Sequence, residues 1–359
     1  MLLVFGLAVA TSTRVCAYEL GERVSLNGVA SLAGQCQRMR NDGGEDRCAG
    51  ALAFQPSLTI RPGEAHRVFF KVGLASGNGL NDVTPFNIAP WAADLQDLLE
   101  NINGRGRQYL LTAWYRFDAE LDQGNRIGLT VGLIDATDYL DANVFSNDEY
   151  TQFMNSALVN GPNVFVPSYA PGLEGHWNLR RLSLTAVYMN VGRADADSFE
   201  FFGVEAGYRL DTPLGPGNYR VLLESSSPDF PDPSGTSRVR RAALLFSCDQ
   251  QLGASVGVFV RISIQDDDPA IDYRSLYSGG VDIGGTRWGR PRDNIGLGLA
   301  YLKGGNTEIG KTRIAEAYYR VDLTKALAIS GDLQYMSDDL EGERGPEGWI
   351  LGLRLTTQF

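Results

Sequence analysis

The chain has 359 residues, of which 43% are hydrophobic, 10% aromatic and 21% charged, and its formal net charge is −11. That acidic balance disfavours a nucleic-acid partner, and no apolar run after the first residues is long enough to cross hydrocarbon as a helix. With 42 glycines against 15 prolines and little helical periodicity, the composition favours an all-β chain with many turns.

Met1 to Ala10 is apolar and leads to Val15-Cys16-Ala17, a small-x-small sequence of signal-peptidase type, so residues 1–17 read as a signal peptide and Tyr18 as the mature start. From there, alternation of period two predicts strands at 23–35, 47–61, 66–76, 107–120, 125–134, 168–178, 181–191 and 199–211. The second half predicts eight more, at 217–226, 237–248, 251–264, 273–287, 292–303, 311–323, 326–337 and 347–359. Cys36 and Cys48 flank a polar stretch, which in an exported protein predicts a disulfide across a hairpin loop and leaves Cys248 free. Zinc is disfavoured, because there is no CxxC pair and His66 and His176 are the only histidines.

The connections alternate in length. Short ones are expected at 61–65, 121–124, 178–180, 247–249, 289–291 and 323–325, and long polar ones at 77–106, 135–167, 192–198, 227–236, 265–272, 304–310 and 338–346. Placing the long loops at one end suits a transmembrane antiparallel β-barrel of about sixteen strands in the outer membrane of a Gram-negative bacterium, forming one domain over 18–359. Two long loops carry helical spacing: Leu95, Leu98, Leu99 and Ile102 in one, and Tyr150, Phe153, Met154, Ala157 and Leu158 after a capping Asn147 in the other. Their apolar stripes should cover the mouth or upper wall of the barrel. Aromatic girdles are expected from Tyr188, Tyr301, Tyr335 and Trp349 at one rim, and from Tyr115, Phe117, Tyr208, Tyr319 and Phe359 at the other.

Particular segments then resemble a known family. Gly128-Leu-Thr-Val-Gly-Leu-Ile-Asp135, Tyr139-Leu-Asp-Ala-Asn143, Asn147 to Ala157, Ala170-Pro-Gly172, Glu316-Ala-Tyr-Tyr319, Asp332-Leu-Gln-Tyr335 and Gly352-Leu-Arg-Leu355 with the terminal Phe359 are similar to the carbohydrate-selective porins of the OprB family. The resemblance implies a barrel of about sixteen strands, an arginine-bearing eyelet and passive uptake of sugars. Leu133 departs from it, standing where the family pattern has a lysine.

If apolar positions face lipid, alternate positions face the lumen. The register turns Arg67, Phe69 and Lys71 inward, then Trp114, Arg116 and Asp118, and by the same rule Arg181, Arg209, Arg220, Arg261, Arg320 and Arg354. It does so also for Glu205, Glu224, Glu316, Asp322 and Asp332, so both signs are expected along the channel. Guanidinium groups can bind neighbouring sugar hydroxyls, and an aromatic face such as Trp114 can pack on a pyranose. Gly305 to Thr312 fits the pattern GxxxxGK[ST], but strand alternation follows it where a phosphate-binding loop needs a helix. Asp266 to Asp268 and Asp338-Asp339 read as solvated loop charge rather than calcium ligands.

The resulting expectation is a sugar-selective porin without catalytic residues, cofactor or metal. Its partners would be permeating sugars, outer-membrane lipid and lipopolysaccharide, and the barrel assembly machinery through the last strand, in a monomer or homotrimer. A general or anion-preferring pore and a plugged adhesive barrel are the alternatives.

Overall fold

A computed structural model describes residues 18–104, 109–122, 124–192 and 198–359. The expected signal peptide lies outside the described residues, as do 105–108 at the end of the first long loop. Sixteen antiparallel strands close into one barrel. They are β1 (Val24–Met39), β2 (Arg47–Gly63), β3 (His66–Val72, resuming after Gly73 as Leu74–Ser76), β4 (Leu110–Asp122), β5 (Asn125–Ile134), β6 (Ala170–Leu179), β7 (Leu182–Val191) and β8 (Phe199–Thr212). The ring continues with β9 (Gly215–Ser226), β10 (Ala242–Leu252), β11 (Val256–Gln265), β12 (Tyr273–Gly284), β13 (Asn294–Gly304), β14 (Ile309–Asp322), β15 (Leu327–Leu340) and β16 (Glu347–Gln358).

Each strand pairs with its sequence neighbours, and β16 closes the ring by pairing with β1 from Val29↔Gln358 to Met39↔Gly348. The closed ring removes both sheet edges, the condition for a β-structure in an apolar medium. Its outer face follows the predicted alternation: Trp349, Leu351, Leu353 and Leu355 of β16 are exposed, while Ile350 and Arg354 are buried inside. Girdle positions Tyr115, Phe117, Tyr208, Tyr301, Tyr319 and Trp349 are likewise exposed, and Tyr335 packs on Trp349 with ring centres 5.1 Å apart.

The long connections gather at one end, here the loop end, and short connections and both termini at the other, the turn end. Cys36 and Cys48 are bonded, but as directly opposed residues of β1 and β2, since pairing runs one step beyond them to Gln37↔Arg47. The turn expected at 247–249 falls instead at Gly253 to Ser255. β10 runs on because Ser247 and Asp249 keep its inward parity and are buried, and Gly253, at φ +72°, supplies the left-handed backbone that the reversal needs. The connection expected at 289–291 is wider and holds a short 3-10 turn, Gly285–Trp288. Gly305 to Thr312 leads directly into β14, with no helix to present its N-terminus to a phosphate.

Leu111, which strict alternation with the outward Tyr115 and Phe117 would turn to the outer face, is instead fully buried. The pairing of β3 with β4 shifts register between Lys71 and Val72, and the bulge places Leu111 in a cluster with Leu99, Ile102 and Tyr169.

The last residue seals the seam. Phe359 exchanges backbone hydrogen bonds with Gly28, N–H to O at 3.1 Å one way and 2.9 Å the other, and its ring lies 6.1 Å from that of Phe54. A Cβ at Gly28 would come within 2.6 Å of the Phe359 ring, so glycine opens the notch that receives it. Deleting Phe359, or the change Gly28→Val, is therefore expected to lower the fraction of folded, heat-modifiable barrel on cold electrophoresis. The molecules that do insert should keep normal single-channel conductance.

Candidate functional site

The barrel is not an empty tube, because its two longest loops fold inward. Residues 77–104 carry a short helix, α1 (Gln96–Glu100), and 135–169 carry another, α2 (Ser156–Val159). α2 is shorter than the 147–158 pattern predicts, and its cap is Asn155, whose Oδ1 accepts from the Ala157 N–H at 3.1 Å. Asn147 cannot take that role because Asp148 folds the preceding residues into a separate turn, accepting from Tyr150 N–H at 2.8 Å.

Apolar contact holds the second loop down. Phe153, Ala157 and Leu158 pack inside the barrel on Phe259, Leu276, Ala300, Leu302 and Tyr318 of the wall. Gly298 leaves the room, since a Cβ there would lie 2.9 Å from both Leu158 and Phe153. These apolar residues on inward parity are what the alternation rule missed. Leu276, Ile314, Met336 and Ile350 all stand out as apolar side chains on the lumen face, and each is buried beneath loop material.

Many of the inward charges serve the same docking. Arg261, fully buried, donates from Nη1 to Ser146 Oγ at 2.9 Å and to the Leu158 carbonyl at 3.3 Å, and pairs with Asp141. Arg354 donates to the carbonyls of Glu149 and Gln152 at 2.6 and 2.8 Å. The Glu316 carboxylate accepts from the backbone N–H groups of Met154 and Asn155 at 2.6 and 3.0 Å. Glu205 accepts from Asp141 N–H at 2.7 Å, and Glu224 from Phe165 N–H at 3.1 Å. The first loop is pinned through the Pro90 carbonyl, which accepts from Gln35 and Gln334 at 3.2 and 2.9 Å. Asp338, expected as solvated charge, instead accepts from Asn87 N–H at 3.0 Å.

The remaining predicted lining residues divide. Arg220 is paired with Asp249 at 2.7 Å and Arg320 with Asp322 at 3.1 Å, both against the wall. Arg209 pairs with Asp211 at 3.3 Å on exposed surface, and Arg181 is exposed where the β6–β7 turn enters β7. Only the β3–β4 group comes together as a set. Cross-strand register sets Lys71 opposite Thr112, Phe69 opposite Trp114 and Arg67 opposite Arg116, a ladder running from mid-barrel toward the turn end. Phe69 and Trp114 stack with centres 4.9 Å apart. Arg116 donates to Asp118 at 3.1 Å and reaches His176 at 3.2 Å, and His176 Nδ1 is 2.9 Å from Glu174.

At the top of this ladder the loops leave a polar cavity of about 280 Å³. Gln55 and Lys71 of the wall face Asp94 of the first loop and Asp135, Thr137, Asp138, Asn147, Glu149 and Tyr169 of the second. Asp94 accepts from Gln55 Nε2 at 2.7 Å and from the Tyr169 hydroxyl, and Asp135 accepts from Thr137 Oγ1 at 2.7 Å. The Lys71 ammonium lies 5.3 Å from the centre of the Tyr169 ring. Among the described residues it makes no hydrogen bond or ion pair, and neither does the Asp138 carboxylate. Leu133, opposite Ala113 and Pro171, brings no charge here; the cation at this neck is Lys71.

The comparisons with known proteins agree with the barrel fold. The profile of the family described as "Carbohydrate-selective porin, OprB family" matches residues 92–359. The chain belongs to that family. A protein of Aquifex aeolicus (strain VF5) described as uncharacterized is 27% identical over 297 residues, covering 81% of this chain and 83% of that one. The high-pH structure of Pseudomonas putida OprB superposes with a TM-score of 0.73 at 14% identity, covering 94% of each chain. An anion-selective porin from Comamonas acidovorans follows at TM-score 0.55 and 14% identity, over 94% of this chain and 99% of that one. At such identities the structural likeness speaks for the fold alone, and it is a fold of porins.

Two outcomes are expected at the site. Arg261→Ala leaves Asp141 without its cation and removes the donors to the Ser146 hydroxyl and the Ser146 and Leu158 carbonyls, so it should destabilise the barrel in urea by about 3–5 kcal/mol and make single-channel currents noisier as the loop loosens. The second concerns pH. Burial by the surrounding loops lifts the Asp138 carboxyl to about 6, with Asp135 and Asp94 adding repulsion and Lys71 opposing it. A group so raised is neutral below that pH and ionised above it. Between about pH 5 and 7 the neck gains negative charge, and single-channel conductance in dilute KCl should rise across that interval.

Proposed function

We propose that this protein is an outer-membrane channel through which monosaccharides or small oligosaccharides diffuse passively, with the neck at Lys71 and the Phe69–Trp114 stack as the sugar path. The observation that carries this reading is the placing of a donor and an acceptor around one cavity. Lys71, over the Tyr169 ring, and Asp138 line the same space, neither in a hydrogen bond among the described residues, and a sugar hydroxyl both donates and accepts. Directly below, the stacked aromatics offer an apolar surface to a pyranose face, and Arg67 and Arg116 offer further donors.

Such contacts are individually weak, as a conduit requires, because a permeant must enter readily and also leave. The family carries sugars as its described selectivity, and it is a family of channels rather than enzymes. The apolar outer belt suits lipid and lipopolysaccharide as surroundings, and the Phe359 strand suits recognition by the barrel assembly machinery. Blockade of single-channel current in planar bilayers tests the reading. Glucose or maltose at millimolar levels should reduce the current, and Trp114→Ala should weaken that block about three- to tenfold, the worth of one aromatic contact. Conductance unaffected by any sugar would overturn it.

A further inference from the structure

Resting on the neck as the sugar path, we infer that it also sorts sugars by charge, passing neutral and protonated amino sugars and rejecting anionic ones such as uronates. Three carboxylates, Asp94, Asp135 and Asp138, face the cavity against the single ammonium of Lys71 among the described residues, beside a Glu149 carboxyl whose pKa is raised well above the usual range by burial and by Asp148 and Asp94. The inward guanidinium groups do not offset this. Arg261 and Arg354 are fully buried with their donors directed at loop carbonyls, and Arg220 is buried against Asp249. Their charge is thus held behind the loops, and Arg67 and Arg116 lie below the cavity toward the turn end, beside Asp118, while the carboxylates stand in the cavity itself.

The cavity walls have low polarisability, and little water separates the charges across a void of this size, so Coulomb terms act there with weak screening. An anionic sugar entering the neck meets net repulsion from groups that no guanidinium in the cavity neutralises. A cationic amino sugar finds the reverse, with Asp138 lining the cavity and in no hydrogen bond or ion pair among the described residues. Lys71 stands in the same space and sets the limit, since its own charge keeps the neck from holding a cation tightly.

Zero-current potentials of the reconstituted full-length channel near neutral pH test this. A KCl gradient should show potassium favoured over chloride by on the order of threefold. Against KCl as the common reference, glucosamine hydrochloride should permeate more readily through its cation than potassium glucuronate does through its anion. Asp135→Asn combined with Asp138→Asn should bring the potassium-to-chloride ratio toward one, and Lys71→Met should raise it. Maltose block is recorded on the same membranes. Block together with an anion-biased potential would overturn the charge assignment while leaving the sugar reading intact. A cation bias that the carboxylate variants abolish supports the assignment even where maltose fails to block.

Discussion

Everything in this molecule depends on one pairing, that of β16 with β1. A sheet in an apolar medium has nowhere to leave an unpaired N–H or C=O, so sixteen strands joined by fifteen correct pairings still present two edges that the environment will not solvate. Closure at the seam satisfies both edges at once. The Gly28 notch shows how closely the closing strand is fitted, because the terminal ring needs a neighbour with no side chain on that face. Closure also fixes the parity of every strand, since a one-residue slip at the seam would turn Leu351 and Leu353 inward and Arg354 out.

Fixed parity creates the second problem, a lumen too wide to discriminate. Sixteen strands enclose an aqueous channel unless something narrows it. The chain narrows it with its own loops, and here the inward charges are used. A loop folded inside a barrel carries backbone polar groups away from bulk water, and these need partners. Arg261 and Arg354 supply donors to loop carbonyls, while Glu205, Glu224 and Glu316 supply acceptors to loop N–H groups. The guanidinium fork suits this use because it can reach two carbonyls from one rigid plane, as Arg354 does with Glu149 and Gln152.

The barrel was legible in the sequence because its signal is repetitive. Alternation on one strand is weak, but sixteen strands with long and short connections in succession leave few other architectures. The disulfide and the outward face of β16 followed from the same local patterns. The uses of the inward residues were less legible. Arg261 and Arg67 look alike by parity, and what separates them is whether a loop backbone lies opposite, which has no side-chain signature. A usable clue was present in the apolar residues on the lumen parity, Leu276, Ile314, Met336 and Ile350, whose presence inside a water-filled channel makes sense only beneath docked loops. The turn misplaced at 247–249 failed for a related reason. Ser247 and Asp249 read as turn formers, and only the Arg220 partner on the adjacent strand reveals Asp249 as a strand residue.

This division of the inward charges explains why net charge says little about the passage itself. Arg261 and Arg354 of the wall spend their donors on loop backbone, and Arg220 and Arg320 on neighbouring carboxylates, while Asp94, Asp135 and Asp138 of the loops face the cavity. On the proposed path the acidic groups thus come from the loops and the cation, Lys71, from the barrel wall. Loops tolerate substitution better than walls do, so under the proposed reading a change at Asp135 or Asp138 alters the charge of the cavity without disturbing a strand. A change at Arg261 or Glu316 loosens the whole constriction instead. Under the proposed reading, separating the groups that dock the loops from those that line the cavity would let one barrel keep its shape while its charge preference is adjusted residue by residue.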